Sequence, residues 1–218
     1  MAISNPSEAL RIVHVCAALY EKNLSGNNVL FATASKDEPF FVETLFQPQN
    51  FLHLTGLQTS LSSERFYDAA LHQRLKLSDV SFKTSGVTEL KLQILPRLMS
   101  IHITARMIGD YDHSQPLLIT DKFAGTVAMA MGFTLANGVY VPNTALKKDL
   151  RDITANATRR KVAAIFVKPR TDDLYRQLTY IAKGITIDDT AISSILQEKV
   201  DMEKLIADFP IPRKASVC

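Results

Sequence analysis

The first apolar positions of the chain recur at helical spacing. Asn5 can cap a helix whose first position is Pro6, and Glu8 stands three residues after the cap, where it can reach free backbone N–H groups. The glycine and two asparagines at 26–28 supply a stop. The pattern therefore predicts an amphipathic helix within residues 1–28, with an apolar face of Leu10, Val13, Ala17 and Tyr20.

After residue 28 the pattern favours strands. Residues 29–34 and 40–46 are rich in β-branched and aromatic side chains and predict a hairpin with a polar loop. Segment 51–57 alternates, which predicts a strand with His53 and Thr55 on one face and leucines on the other. Gly56 breaks this strand, so an imidazole and a hydroxyl should lie near a strand end, open to a ligand. The alternative is a His53 that forms a hydrogen bond inside a core.

Two helical patterns come next, and strands follow them. Ser62 or Ser63 can cap a helix that runs to about Leu75, and Thr88 opens another that Pro96 should kink or interrupt. From residue 104 onward the period is two, and Asn137-Gly138 is a strong hairpin signal. The predicted strands are 105–111, 117–120, 127–136 and 139–141.

The last third of the chain mixes both patterns. Asn143 or Thr144 can cap a short polar helix through Asp152, and segments 162–167 and 178–181 are strand-like. Residues 188–208 have a helical pattern that ends at Pro210. We therefore predict an α+β fold, with helices packed mainly on one side of a twisted sheet. It comprises an N-terminal helix in 1–28, a core in 29–187, and a C-terminal helix and tail in 188–218.

Charge is uneven along the chain. The formal net charge is only +3, but segment 147–183 contains ten Lys and Arg against four Asp and Glu. Such a segment suits a phosphate-bearing partner such as RNA, although a solvated basic face would look the same.

Several functional classes are not supported. The chain lacks glycine-rich phosphate loops and paired zinc ligands, so no cofactor is predicted. Asp110-Tyr111-Asp112-His113 could bind a divalent cation, but a polar turn explains the same residues, and no metal is predicted. Cys16 and Cys218 form neither a metal-spaced pair nor a plausible disulfide. The sequence also contains no signal peptide and no run of about 18 apolar residues. Together with the unpaired cysteines, these features predict a cytoplasmic protein without a membrane partner.

What remains is a set of groups suited to phosphate chemistry. Cleaving RNA without metal requires a group that takes the 2′-hydroxyl proton, another that protonates the leaving 5′-oxygen, and cations that stabilise the phosphorane. His53 suits either proton step, Tyr140 can stack on a base or exchange a proton, and Thr55 can bind a phosphate oxygen. The candidate catalytic residues are His53, Thr55, Tyr140 and Lys168, and the candidate substrate-binding residues are Lys122, Asn143 and Arg151. Each also has a structural explanation, such as capping, packing or solvation.

Six short segments together resemble one family. They are Phe51-Leu52-His53-Leu54-Thr55-Gly56, Phe66-Tyr67, Met107-Ile108-Gly109-Asp110-Tyr111, Asp121-Lys122, and Gly138-Val139-Tyr140-Val141-Pro142-Asn143-Thr144 with Asp149-Leu150-Arg151. Over residues 29–168 the chain resembles the fourth group of phage- and mobile-element-associated nucleases with the barnase, EndoU, colicin and RelE type of fold. The resemblance implies a curved antiparallel sheet and metal-independent ribonuclease activity, with its polar cluster at the seven candidate residues. It assigns them no roles, so the proton partner of His53 would have to be Lys122, Tyr140 or Lys168, and a lysine would need burial or neighbouring cations to lower its pKa.

These observations support three hypotheses. The first is a toxin- or mobile-element-associated ribonuclease whose partners are RNA and an inhibitor or immunity protein. The second is a catalytically silent nucleic-acid-binding or regulatory protein of a phage or mobile element, and the third is an interaction domain that docks through its C-terminal helix. The first hypothesis expects His53, Tyr140, Lys168 and Arg151 to converge in one positively charged cleft.

Overall fold

The N-terminal helix forms where the sequence predicts it. In the computed structural model, which describes residues 5–33, 40–112, 118–156, 158–188 and 196–213, helix α1 spans Pro6–Asn23. The side chain of Asn5 accepts a hydrogen bond from the backbone N–H of Ser7 at 2.9 Å and so caps the helix. Its buried face, which includes Val13 and Tyr20, is inaccessible to solvent and packs into the main core.

Within the described ranges, four further helices with both ends defined follow α1. Ser62 caps α3 by accepting a hydrogen bond from the N–H of Arg65 at 3.3 Å, and Pro96 lies inside α4. A separate short helix begins after α4, as expected for an interrupted pattern. The helices are α2 Phe51–Thr55, α3 Ser63–Leu71, α4 Val87–Leu98 and α5 Ile101–Thr104, with 3₁₀ turns at Pro48–Asn50, Leu77–Asp79 and Leu150–Asp152.

The strands form a closed barrel. They are β1 Asn27–Thr33, β2 Phe41–Leu45, β3 Gln58–Thr59, β4 Val80–Ser81, β5 Met107–Asp110, β6 Lys122–Gly125, β7 Ala130–Ala136, β8 Val139–Leu146, β9 Arg160–Pro169 and β10 Gln177–Ile181. Seven of them follow one another in the order β1-β2-β8-β7-β6-β5-β9, and β1 pairs with β9 to close the ring. Strand β10 extends the sheet from β9, and β3 pairs with β4 separately. The β2–β8 pairing is parallel, and the other pairings are antiparallel.

The prediction of a mixed helix and sheet protein is confirmed, but the closure of the barrel was not predicted. The hairpin of β1 with β2 forms, and the hairpin of β7 with β8 turns at Asn137 and Gly138, both with positive φ. Closure depends on β1 and β9, which lie far apart in the sequence. No local pattern in the sequence indicates that pairing.

The sheet is covered on both sides. Val29 and Phe31 of β1 point into the main core, to which α1, α2, α3 and α4 contribute. Leu30 and Ala32 point to a second core made by β9, β10 and the C-terminal segment. The helices therefore lie mainly on one side, while the chain after β10 covers the other. No helix in the described ranges is long and apolar enough to cross a membrane.

Two predictions about the middle of the chain are wrong. Residues 118–120 are not a strand, and β6 begins only at Lys122. Asn143 and Thr144 cap no helix, because β8 continues through them to Leu146. The ladder to β7 supplies backbone partners there, and a bulge next to Gly132 absorbs the irregular register.

The predicted C-terminal helix is also largely wrong over the described residues. Leu196 is helical, and the chain continues directly after it as turns. Val200 and Ile206 instead form bridges beside Tyr175 and Gln177, where the edge of the sheet offers backbone hydrogen bonds. Residues 189–195 of the predicted helix lie outside the described residues.

Candidate functional site

His53 lies on a short helix, not on the predicted strand. A 3₁₀ turn at Pro48–Asn50 leads directly into α2, and Phe51, Leu54 and Thr55 are buried. These three positions have helical i, i+3, i+4 spacing, so the same residues that suggest alternation also fit one turn of helix. His53 therefore projects from the outer side of this turn and is exposed.

Gly56 allows α4 to approach the end of α2 closely. It ends the helix with φ of +72°, and a Cβ at this position would lie 2.8 Å from Cδ of Lys91 and 3.3 Å from Cα of Thr88. Thr88 fixes this contact, because its hydroxyl donates a hydrogen bond to the carbonyl of Gly56 at 2.7 Å. The hydroxyl oxygen of Thr88 also accepts a hydrogen bond from the backbone N–H of Lys83 at 3.1 Å. One buried threonine therefore positions both the helix end and the backbone of Lys83.

A basic pocket of about 380 Å³ opens at this junction. The ammonium group of Lys91 donates a hydrogen bond to the backbone carbonyl of His53 at 2.8 Å, and Lys91 is only 8% exposed. We call this site the His53 pocket. It is lined by Leu52, His53, Gly56, Leu57, Gln58, Thr59, Lys83 and Lys91. These residues include three basic side chains and no carboxylate, so the pocket suits an anion.

The pocket changes the acid–base properties of two of these groups. Burial, together with the charge of Lys83, lowers the pKa of Lys91 from 10.5 to about 8. Partial burial, followed by the charges of Lys91 and Lys83, lowers the pKa of His53 below 6.5. At neutral pH the imidazole is therefore uncharged and can accept a proton, while the ammonium of Lys91 can donate one.

Sequence reasoning missed Lys91 entirely. It stands within an apolar helical pattern, at i, i+4 and i+7 with Leu95 and Leu98, which are both buried. A lysine on the apolar stripe of an amphipathic helix is the signal that could have identified it, since an unpaired lysine is rarely buried.

Tyr140 and Lys122 come together, but in another cluster. The ammonium of Lys122 lies 5.5 Å from the ring centre of Tyr140 and 5.0 Å from that of Phe40. Lys122 also forms an ion pair with Asp110. No hydrogen bond, ion pair or cation–π contact joins this group to His53 among the described residues.

The side chains of Thr55 and Asn143 form hydrogen bonds with backbone groups. Thr55 is fully buried, and its hydroxyl donates to the carbonyl of Leu52 at 2.8 Å and accepts from the N–H of Leu57 at 3.1 Å. Asn143 accepts a hydrogen bond from the hydroxyl of Thr120 at 3.2 Å and donates to the carbonyl of Ile119. In this structure Thr55 shapes the turn beneath the His53 pocket, and Asn143 ties residues 119–120 to β8.

Lys168 and Arg151 lie apart from the His53 pocket. Lys168 donates to the carbonyls of Asp172 and Asp173 at 2.7 and 3.0 Å, and it shares the face of β9 that carries Phe166 of the second core. Arg151 is paired with Asp149 at 2.6 Å. The expected convergence of His53, Tyr140, Lys168 and Arg151 in one cleft is therefore not seen.

The described residues contain no group of three His, Cys, Asp or Glu side chains placed to hold a metal ion. In the acidic turn considered above, Asp110 is engaged with Lys122, and His113 lies outside the described residues.

A mixed α/β barrel with a basic, carboxylate-free pocket is compatible with a phosphodiester-cleaving protein, and comparison with family models identifies the class. Residues 12–184 match a family of nucleases like barnase, EndoU, colicins E5 and D, and RelE. The chain belongs to this family, described as phage-Barnase-EndoU-ColicinE5/D-RelE like nuclease 4. The match begins within α1 and ends beyond β10, so it is wider than the resemblance at 29–168. No curated protein and no solved structure matched the chain.

Proposed function

We propose that the protein is a metal-independent ribonuclease and that the His53 pocket is its active site. The observation that carries this proposal is a pocket that His53 shares with two lysines, Lys91 and Lys83, and no carboxylate, in which Lys91 donates a hydrogen bond to the backbone carbonyl of His53. The family is described as like the nucleases barnase, EndoU and RelE, and this one pocket contains both a proton acceptor and a proton donor.

The reaction needs no component from outside the chain and its substrate. Neutral His53 takes the proton of a 2′-hydroxyl, and the resulting oxygen forms a bond to the adjacent phosphorus. The bond from phosphorus to the 5′-oxygen breaks, and Lys91 gives that oxygen its proton. The charges of Lys91 and Lys83 stabilise the additional negative charge of the phosphorane. The products are a 2′,3′-cyclic phosphate and a 5′-hydroxyl end.

The remaining candidate residues act outside the chemical step in this proposal. Thr55 supports the turn that carries His53, and Lys168, Arg151 and Asn143 are engaged by other parts of the protein. Lys91 takes the place of the proton partner that sequence reasoning sought among Lys122, Tyr140 and Lys168.

The direct test is cleavage of mixed RNA by purified protein in excess EDTA. We expect the parent to cut RNA to cyclic-phosphate ends, and His53→Ala and Lys91→Met to lose at least about a hundredfold in rate, as is typical for loss of general acid–base catalysis. His72→Ala is a matched control, because His72 is an exposed histidine bound to Asp68 at the end of α3. It should cut RNA like the parent.

The proposal fails if the parent cuts no RNA, or if His53→Ala prepared in the same way cuts as fast as the parent. Binding of RNA without any cleavage would favour the silent nucleic-acid-binding function instead. An activity that EDTA abolishes would contradict the metal-independent mechanism.

A further inference from the structure

A second cluster of cations and aromatic rings lies on the barrel strands. It consists of Phe40, directly before β2, Lys122 on β6, Tyr140 on β8 and Arg160 on β9. Lys122 contacts both rings as described above, and the guanidinium carbon of Arg160 lies 4.9 Å from the ring centre of Phe40. We call these four residues the aromatic–basic cluster. Four separate elements of the barrel supply them.

The cluster is partly open to solvent. Phe40, Tyr140 and Arg160 are half-buried, and the side chain of Lys122 is 14% exposed. Asp110 neutralises Lys122, whereas Arg160 has no carboxylate partner among the described residues and donates only to the carbonyl of Thr158 at 3.3 Å. The cluster therefore carries a net positive charge beside two accessible aromatic rings.

The neighbouring strands extend this positive surface. Arg106, just before β5, is exposed and stacks on Tyr180 with its guanidinium carbon 3.9 Å from the ring centre. Lys161 follows Arg160 on β9 and pairs with Met107 of β5, so its exposed side chain points away from the face that carries Arg160. Arg106 forms no ion pair within the described ranges. One more cation, Arg106, thus lies next to the cluster at the β5–β9 junction.

We propose that this surface binds single-stranded RNA, with the rings of Phe40 and Tyr140 stacking on unpaired bases and Arg160 and Arg106 following the phosphates. Aromatic faces alternating with unpaired cations are the chemistry by which proteins hold single strands. A duplex keeps its bases stacked on one another and presents only phosphates, so it cannot use the rings. The inference deepens the proposed ribonuclease function and rests on it for the identity of the nucleic acid as RNA.

The experiment measures binding separately from cleavage. A fluorescently labelled 2′-O-methyl oligonucleotide has no free 2′-hydroxyl, so it cannot be cut by the proposed reaction. Its dissociation constant is measured by anisotropy for the single strand and for the same sequence in a duplex. We expect Tyr140→Leu and Phe40→Leu each to weaken single-strand binding by about fivefold or more, because loss of one stacked base costs at least roughly this factor.

The chain offers matched controls. Phe41 is next to Phe40 but contacts Lys199, at 5.1 Å from its ring centre. We expect Phe41→Leu to bind like the parent, and Tyr140→Phe, which keeps the ring, to do the same. Arg160→Gln should lower the slope of log affinity against log salt by about 0.7 for a single strand, as expected for one lost phosphate contact.

Each result decides between the two proposals. If the leucine variants bind the single strand as tightly as the parent, or if the duplex binds as tightly as the single strand, the inference is wrong, even if the parent cleaves RNA. If the parent binds single strands through these rings but does not cut unmodified RNA, the proposed catalysis fails and the binding surface stands. If Tyr140→Leu does not fold, Phe40→Leu and Arg160→Gln carry the test. A surface that binds only a protein partner would leave the affinity for the single strand undetectable and would overturn the inference.

Discussion

Replacement of Lys91 by methionine should make stability less dependent on alkaline pH while abolishing cleavage. The pKa of Lys91 falls from 10.5 to about 8 in the folded protein. This difference corresponds to roughly 3 kcal/mol of unfavourable free energy for keeping the charged form in the pocket. Below pH 8 the folded protein pays this cost in full, because Lys91 is charged in both the folded and the unfolded states.

The pH dependence follows from the proton balance. Between about pH 8 and pH 10.5 the unfolded chain binds more protons at Lys91 than the folded protein does, so the stability of the parent rises with pH relative to the variant. At pH 7 the variant avoids the desolvation cost but loses the hydrogen bond to the carbonyl of His53, which contributes about 1.5–3 kcal/mol. The two effects nearly offset each other, and we expect stabilities within about 2 kcal/mol at that pH.

The assay is urea unfolding of both proteins at a series of pH values from 6 to 10.5. The difference in free energy of unfolding, variant minus parent, should decrease by roughly 3 kcal/mol across the alkaline half of this range. Lys161→Met is the control, because Lys161 is an exposed lysine that does not line the His53 pocket, and its difference should stay nearly constant. A constant difference for Lys91→Met would refute the buried, desolvated lysine on which the acid role depends.

Three further outcomes are expected. Gly56→Ala should lower the free energy of unfolding by about 1–2 kcal/mol for the left-handed backbone alone, and by more because the new Cβ would contact Lys91. Cleavage should also fall, and unchanged activity with normal stability would contradict the close packing of α2 on α4. Thr55→Val should lose about 1–3 kcal/mol in thermal or urea unfolding by leaving a buried N–H without its acceptor, whereas Thr55→Ser should recover most of it. Burial alone would raise the pKa of Glu43, but its hydrogen bonds, first that from Lys199, lower the pKa below 4.5. The stabilising contribution of Glu43 is therefore full above pH 4.5 and is lost on further acidification. Glu43→Gln should be less stable than the parent at pH 7 and equally stable in strong acid, and a deficit that does not depend on pH would argue against the ion pair.

Local chemistry allowed the N-terminal helix and two hairpins to be predicted. The cap at Asn5 and the turn at Asn137 and Gly138 each act over a few residues, so their sequence signals survive in the fold. The prediction of a strand over residues 51–57 was wrong for a related reason. A helix of five residues has too few positions to separate a period of 3.6 from a period of 2, and Gly56 could equally end a strand or cap a helix.

Long-range contacts decided the rest. The β1–β9 pairing that closes the barrel and the contact of α4 with α2 join segments that have no shared local motif. The candidate residues were chosen for their chemical type, and the structure distributes them over separate groups. His53 was singled out from its chemistry, while Lys91, which binds the backbone carbonyl of His53, was hidden in an apolar helical pattern. Lys122 and Tyr140 were identified and do meet, but in a different cluster from His53.

The most direct test of the central claim is the pH dependence of single-turnover RNA cleavage in EDTA. The account predicts a bell-shaped profile. Its acidic limb reflects protonation of His53 below pH 6.5, and its alkaline limb, near pH 8, reflects loss of the proton from Lys91. In Lys91→Met, residual cleavage should lack the alkaline limb near pH 8 and keep the acidic limb. Retention of both limbs in Lys91→Met, or an acidic limb that persists in His53→Ala, would contradict the assignment of the chemistry to the His53 pocket.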